Sequence, residues 1–168
     1  TRVGLHNTTL AEMAYENFRQ VGPSVYGEEA KNFGREIQRN LGDEPMEDPF
    51  TDGCQRLLTT EEGEAAIRRL LPEWQTHYSS DDYVEYTWHA PSARIRTAKA
   101  VLRPVEGARY PRWAALAMTG ERTTIDPAIF TGGKVIAGCL IDLLTKPELL
   151  AKAKAEFDER TGGGVGGT

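Results

Sequence analysis

The residues best suited to chemistry lie between positions 79 and 91, in the segment SSDDYVEYTWHAP. Asp81 and Asp82 are adjacent, Glu85 follows three residues after Asp82, and His89 stands near the end of the segment. Carboxylates this close repel one another, so each favours a nearby cation, a shared proton or a hydrogen-bond donor. A zinc or manganese ion, an arginine or the start of a helix would supply such a partner. The three acids are therefore candidate catalytic residues, acting as acid or base, and a loop of solvated acids is the alternative interpretation.

Two segments alternate in the way that is typical of β-strands. In the first, 83–88, the alternation places Glu85 on the opposite face from Trp88. In the second, 93–102, two arginines alternate with apolar residues, and Pro91 would form the turn between the two strands. The sequence therefore predicts a strand that carries the acids and a neighbouring strand that follows it.

Helices are predicted on both sides of these strands. Thr9 and Glu12 match a capping box for a first helix, and a second helix runs from about Glu28 to Gly42. The acidic stretch 43–60 contains prolines and predicts a long irregular connection, which is either functional or loosely ordered.

Three more helix starts follow along the chain. Thr59 and Glu62 match a second capping box, and a last helix begins near Thr145. Asp126 as N-cap, with Pro127 at the first helical position, predicts the start of a long helix between them.

The long helix is rich in apolar residues, which predict a broad buried face. These residues are Val135, Ile136, Cys139, Leu140, Leu143 and Leu144. The apolar run 113–118 fits either a strand or a helix. Several helices packed on a few strands indicate a mixed α/β domain.

Composition limits the class of protein. The 168 residues fit one domain, with the core in 1–160 and a flexible glycine-rich tail in 161–168. A net charge of −5 argues against a nucleic-acid partner and against an anionic membrane. Cys54 and Cys139 are far apart in sequence and are expected to be free thiols in a reducing compartment, which predicts a cytoplasmic location.

Four segments together resemble a known family in the same order. They are NTTLAEMAYENFRQVG, EEAKNFGREIQRNLG, SSDDYVEYTW and GGKVIAGCLIDLLTKPELLAKAKAEFDERTGG. They resemble the zinc-dependent amidohydrolases of the aminoacylase and carboxypeptidase type, and within them the branch that cleaves p-aminobenzoyl-glutamate. The resemblance covers nearly all of this chain but only the C-terminal portion of such an enzyme. It implies that 1–160 is the C-terminal part of a three-layer αβα metallopeptidase-like catalytic domain.

The resemblance also implies a reaction. A metal-bound water attacks the carbonyl of an acyl- or aryl-amino acid amide, with a carboxylate as general base. Most ligands of the zinc or manganese ion, and the glutamate that activates the water, lie in the N-terminal half of the family. This chain is therefore expected to need that half or a second subunit, in a homo- or hetero-oligomer, and to be inactive alone.

Two family histidines are replaced in this chain. One belongs to an H-S-W sequence, and the equivalent here is Tyr110-Pro111-Arg112-Trp113, which places proline at the ligand position. Proline cannot bind a metal. The other aligns with Asp126, which is a candidate metal ligand and equally a candidate helix N-cap.

Three further residues are candidates for the site. Asp81 aligns with an acid in the strand of the family, and His89 and Arg112 are candidate substrate contacts. His89 also fits a metal ligand, a base or a structural hydrogen-bonding residue.

Three functions of different class stay open. The chain is the C-terminal part of a metal-dependent amidohydrolase, or it is a non-catalytic partner subunit with a degenerate metal site. In the third, an altered site performs other hydrolytic or deaminating chemistry with Asp81, Asp82 or Glu85 as acid or base.

Overall fold

The described part of the chain is helical. The computed structural model describes residues 4–69, 71–73, 84–105 and 109–163. The α-helices are α1 (Thr8–Val21), α2 (Glu28–Asn40), α3 (Thr60–Arg68), α4 (Arg112–Gly120), α5 (Arg122–Thr145) and α6 (Pro147–Thr161). Two short 3-10 helices occupy Asp52–Cys54 and Val84–Trp88.

The predicted α/β fold, the C-terminal part of a three-layer αβα domain, is wrong for these residues. The only β pairing that they contain is one isolated antiparallel bridge between Phe50 and Leu102. No sheet forms in the described ranges, so there is no layer of strands on which the helices could pack.

The first predicted strand fails because its backbone groups bond locally. Val84–Trp88 is a 3-10 helix, in which the Thr87 hydroxyl donates to the carbonyl of Val84 and accepts from the amide of Leu5 at 2.9 Å. The amide of His89 donates to the carbonyl of Tyr86 at 3.0 Å. Such local bonds compete with a strand ladder. The preceding positions 74–83 lie outside the described residues.

The second predicted strand is irregular for a related reason. The Tyr26 hydroxyl donates to the carbonyl of Ala98 at 2.8 Å, and the amide of Thr51 donates to the carbonyl of Val101 at 2.9 Å. A side chain and a loop thus satisfy the carbonyls that a neighbouring strand would otherwise use.

The chain divides into two compact units. Unit 1 comprises Thr1–Asn17, Leu58–Ile95 and Ile136–Thr168, and unit 2 comprises Phe18–Leu57 and Arg96–Val135.

In unit 1, the N-terminus of α1 is capped from two directions. The Asn7 side chain accepts from the amide of Leu10 at 3.0 Å and donates to the carbonyl of Ala153 at 2.8 Å. Glu156 accepts from the amide of Thr8 at 2.7 Å and from the amide and hydroxyl of Thr9 at 2.9 Å. The predicted capping box at Thr9 is wrong, because Asn7 is the cap and the Thr9 hydroxyl bonds Glu156.

These bonds set the ionisation of Glu156. Burial alone would raise its pKa, but the hydrogen bonds from Thr9 and Thr8 outweigh that effect and lower the pKa from 4.5 to about 2. Arg160 stands 3.0 Å from the same carboxylate and adds a favourable charge.

A close contact joins α1 and α5 within unit 1. Asn17 is buried, and its side-chain amide donates to the carbonyl of Met13 at 3.0 Å and to Asp142 at 2.7 Å. Gly138 faces Asn17 so closely that an added Cβ would overlap the side-chain oxygen of Asn17. Lys146 and Asn17 together hold the pKa of Asp142 below its usual value.

Unit 2 has an apolar core around Phe50. Its buried members are Tyr26, Ala30, Ile37, Phe50, Cys54, Ala100, Leu102, Ala114 and Met118. The rings of Tyr26 and Phe50 meet edge to face with their centroids 5.4 Å apart. Gly34 lets α2 approach Phe50, since a Cβ there would stand 3.0 Å from the ring.

The stretch 43–60 is irregular, as predicted, but it is ordered by specific contacts. Gln38 is fully buried and its side-chain oxygen accepts from the amide of Met46 at 3.0 Å. The carboxylate of Asp48 accepts from Gln55 at 2.9 Å. Both cysteines are free and buried, and burial followed by the charge of Asp142 raises the pKa of the Cys139 thiol.

The helix boundaries confirm some capping signals and correct others. Thr59 and Glu62 form the predicted capping box of α3. The predicted start of α5 at Asp126 is wrong, because the helix begins at Arg122 and Pro127 lies inside it. The run 113–118 is helical, in α4.

We expect Gly138→Ala to lower the free energy of unfolding by about 1–3 kcal/mol, because the new methyl group must displace Asn17. Gly133→Ala in the same helix is the matched control. A Cβ at position 133 meets nothing within 4 Å, so alanine there should be neutral or stabilising by about 0.5–1 kcal/mol. Urea denaturation of both variants measures the difference, and equal stabilities would show that the close contact is absent.

We expect Glu156→Gln to lower the free energy of unfolding by about 1–2 kcal/mol near neutral pH, through loss of charge-assisted capping bonds. The folded pKa of Glu156 is depressed, so its contribution is complete above pH 4.5 and is lost as the pH falls towards 2. The gap between wild type and variant should therefore close in acid. Glu159→Gln, an exposed position of α6, is the control, and a pH-independent gap would contradict the assignment.

Candidate functional site

The structure places the predicted acidic residues only in part. Asp81 and Asp82 lie outside the described residues. Glu85 belongs to the 3-10 helix Val84–Trp88 of unit 1 and is exposed, and His89 is exposed in the turn that follows. Glu85 and His89 therefore share one short surface element, and their proposed roles stay predictions.

Arg112 and Asp126 belong to unit 2. Arg112 is the first residue of α4 and is exposed. Pro111 is the N-cap of that helix, and its carbonyl accepts from the amide of Ala114 at 3.0 Å. The carboxylate of Asp126 lies 3.3 Å from the guanidinium of Arg122, one turn earlier in α5. Asp126 is therefore a helix-interior residue with a cationic partner, and not an N-cap.

The described residues contain no group of three or more His, Cys, Asp or Glu side chains that could hold a metal ion. Zinc and manganese sites in proteins need several such ligands. Asp126 alone does not fit such an ion, because its nearest charged partner is Arg122.

A pocket of about 350 Å³ opens in unit 2. Leu102 and Met118 are buried residues of the core and line its apolar part. Lys99, Arg109 and Tyr110 also line it. The pocket therefore combines an apolar wall with two cationic groups.

The sequence did not predict this pocket, because most candidate site residues were chosen from the acidic segment 79–91. One signal was present in the alternating segment 93–102. Lys99 falls on the same side of the pattern as Ile95 and Val101, where an apolar residue is expected. A cation at an apolar position is a better indication of a binding site than a cation on the polar side.

Hydrogen bonds hold the tyrosine of this pocket in place. The Tyr110 hydroxyl accepts from the side-chain amide of Gln38 at 3.2 Å and donates to the carbonyl of Arg103 at 3.0 Å. Burial raises the pKa of Tyr110, and the hydroxyl therefore stays protonated as a donor. Because Gln38 is itself fully buried and bonded to Met46, the position of the ring depends on a connected network.

A second unusual surface lies on α5. In the part of this helix that belongs to unit 1, the small and polar residues Gly138, Cys139 and Asp142 face inward. The large apolar residues face outward, with Ile136 50% exposed, Leu140 55% exposed and Leu144 83% exposed. The predicted broad buried face is therefore wrong for these three residues, which form one stripe at four-residue spacing.

The same helix passes a simple test for a membrane span. In the part of the chain that the structure describes, α5 is the one helix long and apolar enough to cross a membrane, with a mean hydropathy of 1.6. A single helix of this kind is weak evidence, since core helices of soluble proteins pass the same test.

Comparison with models of known protein families, with curated proteins and with solved structures gives no match. The resemblance to the amidohydrolases therefore rests on the sequence motifs alone.

We expect Tyr110→Phe to lower the free energy of unfolding by about 1–2 kcal/mol, because it removes a donor to Arg103 and leaves the buried amide of Gln38 only its longer bond, 3.4 Å, to the carbonyl of Arg103. Tyr15→Phe is the control. The Tyr15 hydroxyl donates to the carbonyl of Leu58 at 3.1 Å on the exposed surface, where water can replace it. Thermal or urea denaturation compares the two variants, and an equal effect would show that the Gln38 network contributes nothing.

Proposed function

We propose that this chain is the C-terminal part of a metal-dependent amidohydrolase, which cleaves the amide bond of an acyl- or aryl-amino acid. In this proposal the chain works only together with polypeptide that supplies the metal ligands, either an N-terminal half or a second subunit. The observation that carries it is the uncovered apolar stripe on α5, Ile136, Leu140 and Leu144.

The stripe belongs to the segment on which the resemblance is most specific, GGKVIAGCLIDLLTKPELLAKAKAEFDERTGG. Neighbouring large apolar side chains on one face of a helix are normally covered by another surface. Complete burial of a fully exposed side chain of this kind is worth about 1.5–3 kcal/mol, and these three still expose 50–83% of their surface, so covering them favours association with another surface. A chain that is one part of a larger hydrolase would present such a surface.

The proposal assigns no metal-dependent step to the described residues, because they do not form a zinc or manganese site by themselves. Asp81, Asp82 and Glu85 stay the candidate acid or base. His89 and Arg112, which are both exposed, stay candidate substrate contacts.

A second candidate is a non-catalytic partner subunit with a degenerate metal site. The observation that favours it is Pro111. The position where the family carries a histidine is here the N-cap of α4, and it offers no side-chain ligand. The two candidates share the need for another polypeptide and differ in metal content and turnover.

We expect the purified chain alone to show no hydrolysis of p-aminobenzoyl-glutamate or of an N-acyl amino acid. Co-purified with the polypeptide encoded directly upstream, it should form a complex that contains stoichiometric zinc or manganese and hydrolyses one of these amides. Metal analysis and a discontinuous amine assay measure both properties. Turnover by the chain alone would contradict the proposal, and a stable complex without metal or turnover would establish the non-catalytic partner instead.

The role of α5 is tested separately. Leu144→Glu places a charge in the apolar stripe and should abolish formation of the complex while the chain stays folded by circular dichroism. Ala151→Glu, which is exposed on α6 and adds the same charge, is the matched control and should assemble normally. Assembly of both variants would show that the stripe is not the contact surface.

A further inference from the structure

We propose that the pocket of unit 2 is a binding site for a small organic carboxylate that carries an aryl or short acyl group. The inference uses residues of unit 2 alone, and it does not depend on the amidohydrolase proposal. It goes beyond that proposal because no residue of this pocket was assigned a role in hydrolysis.

The surface of the pocket is mainly apolar, and two cationic residues are among those that line it. Leu102 and Met118 are almost completely buried and are fixed in the core. Lys99 and Arg109 line the same space from outside that core. A ligand that fills this pocket should therefore have an apolar body and an anionic group.

The charges around the pocket favour an anionic ligand. No acidic side chain lines the pocket, and no described residue forms an ion pair with the Lys99 ammonium or the Arg109 guanidinium. A carboxylate bound in the pocket would gain a favourable interaction with each of these cations. A guanidinium also matches the planar geometry of a carboxylate.

The size of the pocket and the rigidity of its wall suit a small ligand. A volume of about 350 Å³ is at the lower end of the range for small-molecule sites and exceeds that of a single aromatic ring with a carboxylate. The Tyr110 ring is held by Gln38 and Arg103, so this wall of the pocket is formed before a ligand arrives. A preformed wall reduces the entropic cost of binding.

The pocket is proposed as a binding site and not as a catalytic one. The polar side chains that line it are Thr51, Lys99, Arg109 and Tyr110. The Tyr110 hydroxyl is engaged by Gln38, by the carbonyl of Arg103 and by the carboxylate of Asp43, and burial and that carboxylate raise its pKa. The specificity of the site should follow from the negative charge and the apolar surface of the ligand.

The test uses 2-naphthoate as the probe and the neutral 2-naphthamide as its isostere, with the full chain and isothermal titration calorimetry. We expect saturable binding of one naphthoate per chain, and binding of naphthamide at least about tenfold weaker, which corresponds to the loss of one charged contact. Equal affinity for both probes would overturn the proposal, because it would show an apolar surface without a charge preference.

Variants locate the binding in this pocket. Lys99→Met should weaken naphthoate binding by about tenfold, and Arg109→Met, which changes a more exposed residue, by about threefold. Lys134→Met, an exposed lysine of α5 in the same unit, makes the same change of net charge and should leave the affinity unchanged.

A steric variant tests directly whether the ligand occupies the pocket. Ala115 lines the pocket and is exposed, so Ala115→Phe should occupy the space and abolish binding without disturbing the fold, as checked by circular dichroism. Undiminished binding by Ala115→Phe, or equal losses for Lys99→Met and Lys134→Met, would place the anion elsewhere and overturn the assignment.

Discussion

The structure depends on one constraint, which is that every buried backbone polar group needs a partner. A sheet would meet this need with a ladder of hydrogen bonds, but the described ranges contain none. Side chains take over this role instead. Glu156 accepts from the first amides of α1, Tyr26 donates to the carbonyl of Ala98, and Gln38 accepts from the amide of Met46. A small number of polar side chains therefore satisfies these backbone groups, two from helices (Glu156 and Gln38) and one from the loop between α1 and α2 (Tyr26).

The structural features that the sequence predicted correctly are those that depend on interactions between residues close together in the chain. The capping box at Thr59 and Glu62 and the helix from Glu28 are both present, because their signals lie within one turn of the backbone that they fix. At α1 the local cap is Asn7, two residues before the predicted one, and the other half of the cap is Glu156, which is 147 residues away from Thr9. No local pattern indicates such a partner.

The errors in the fold and in the site have physical causes too. Alternation in 83–88 and 93–102 is a necessary property of a half-buried strand, but a strand also needs a neighbour, and the described residues offer only the bridge from Phe50. The pocket was missed because Lys99 and Arg109 are ten residues apart in sequence, and only the fold of unit 2 places both in the lining of one pocket. Of the candidates taken from the sequence, Glu85 and His89 lie in or directly after one short 3-10 helix. Their spacing in the sequence did not predict which residues would surround them.

The helix α5 connects these observations with function. Its inner side in unit 1 is made of small and polar residues, because α1 approaches closely enough for Asn17 to reach Asp142. Its outer side carries the large apolar residues that usually fill a core. These exposed apolar side chains can still contribute hydrophobic free energy when another surface covers them. A surface that binds there can therefore gain affinity without reorganising the contacts on the inner side.

The bond between Glu156 and the start of α1 also bears on how the polypeptide matures during translation. The helix has 14 residues, a length at which an isolated helix is only marginally stable in water. Asn7 caps it locally, but the Glu156 contact joins residues 147 apart in sequence, and contacts between such distant residues form slowly. These capping bonds of α1 can therefore form only after the segment that carries Glu156, 147 residues beyond Thr9, has been synthesised.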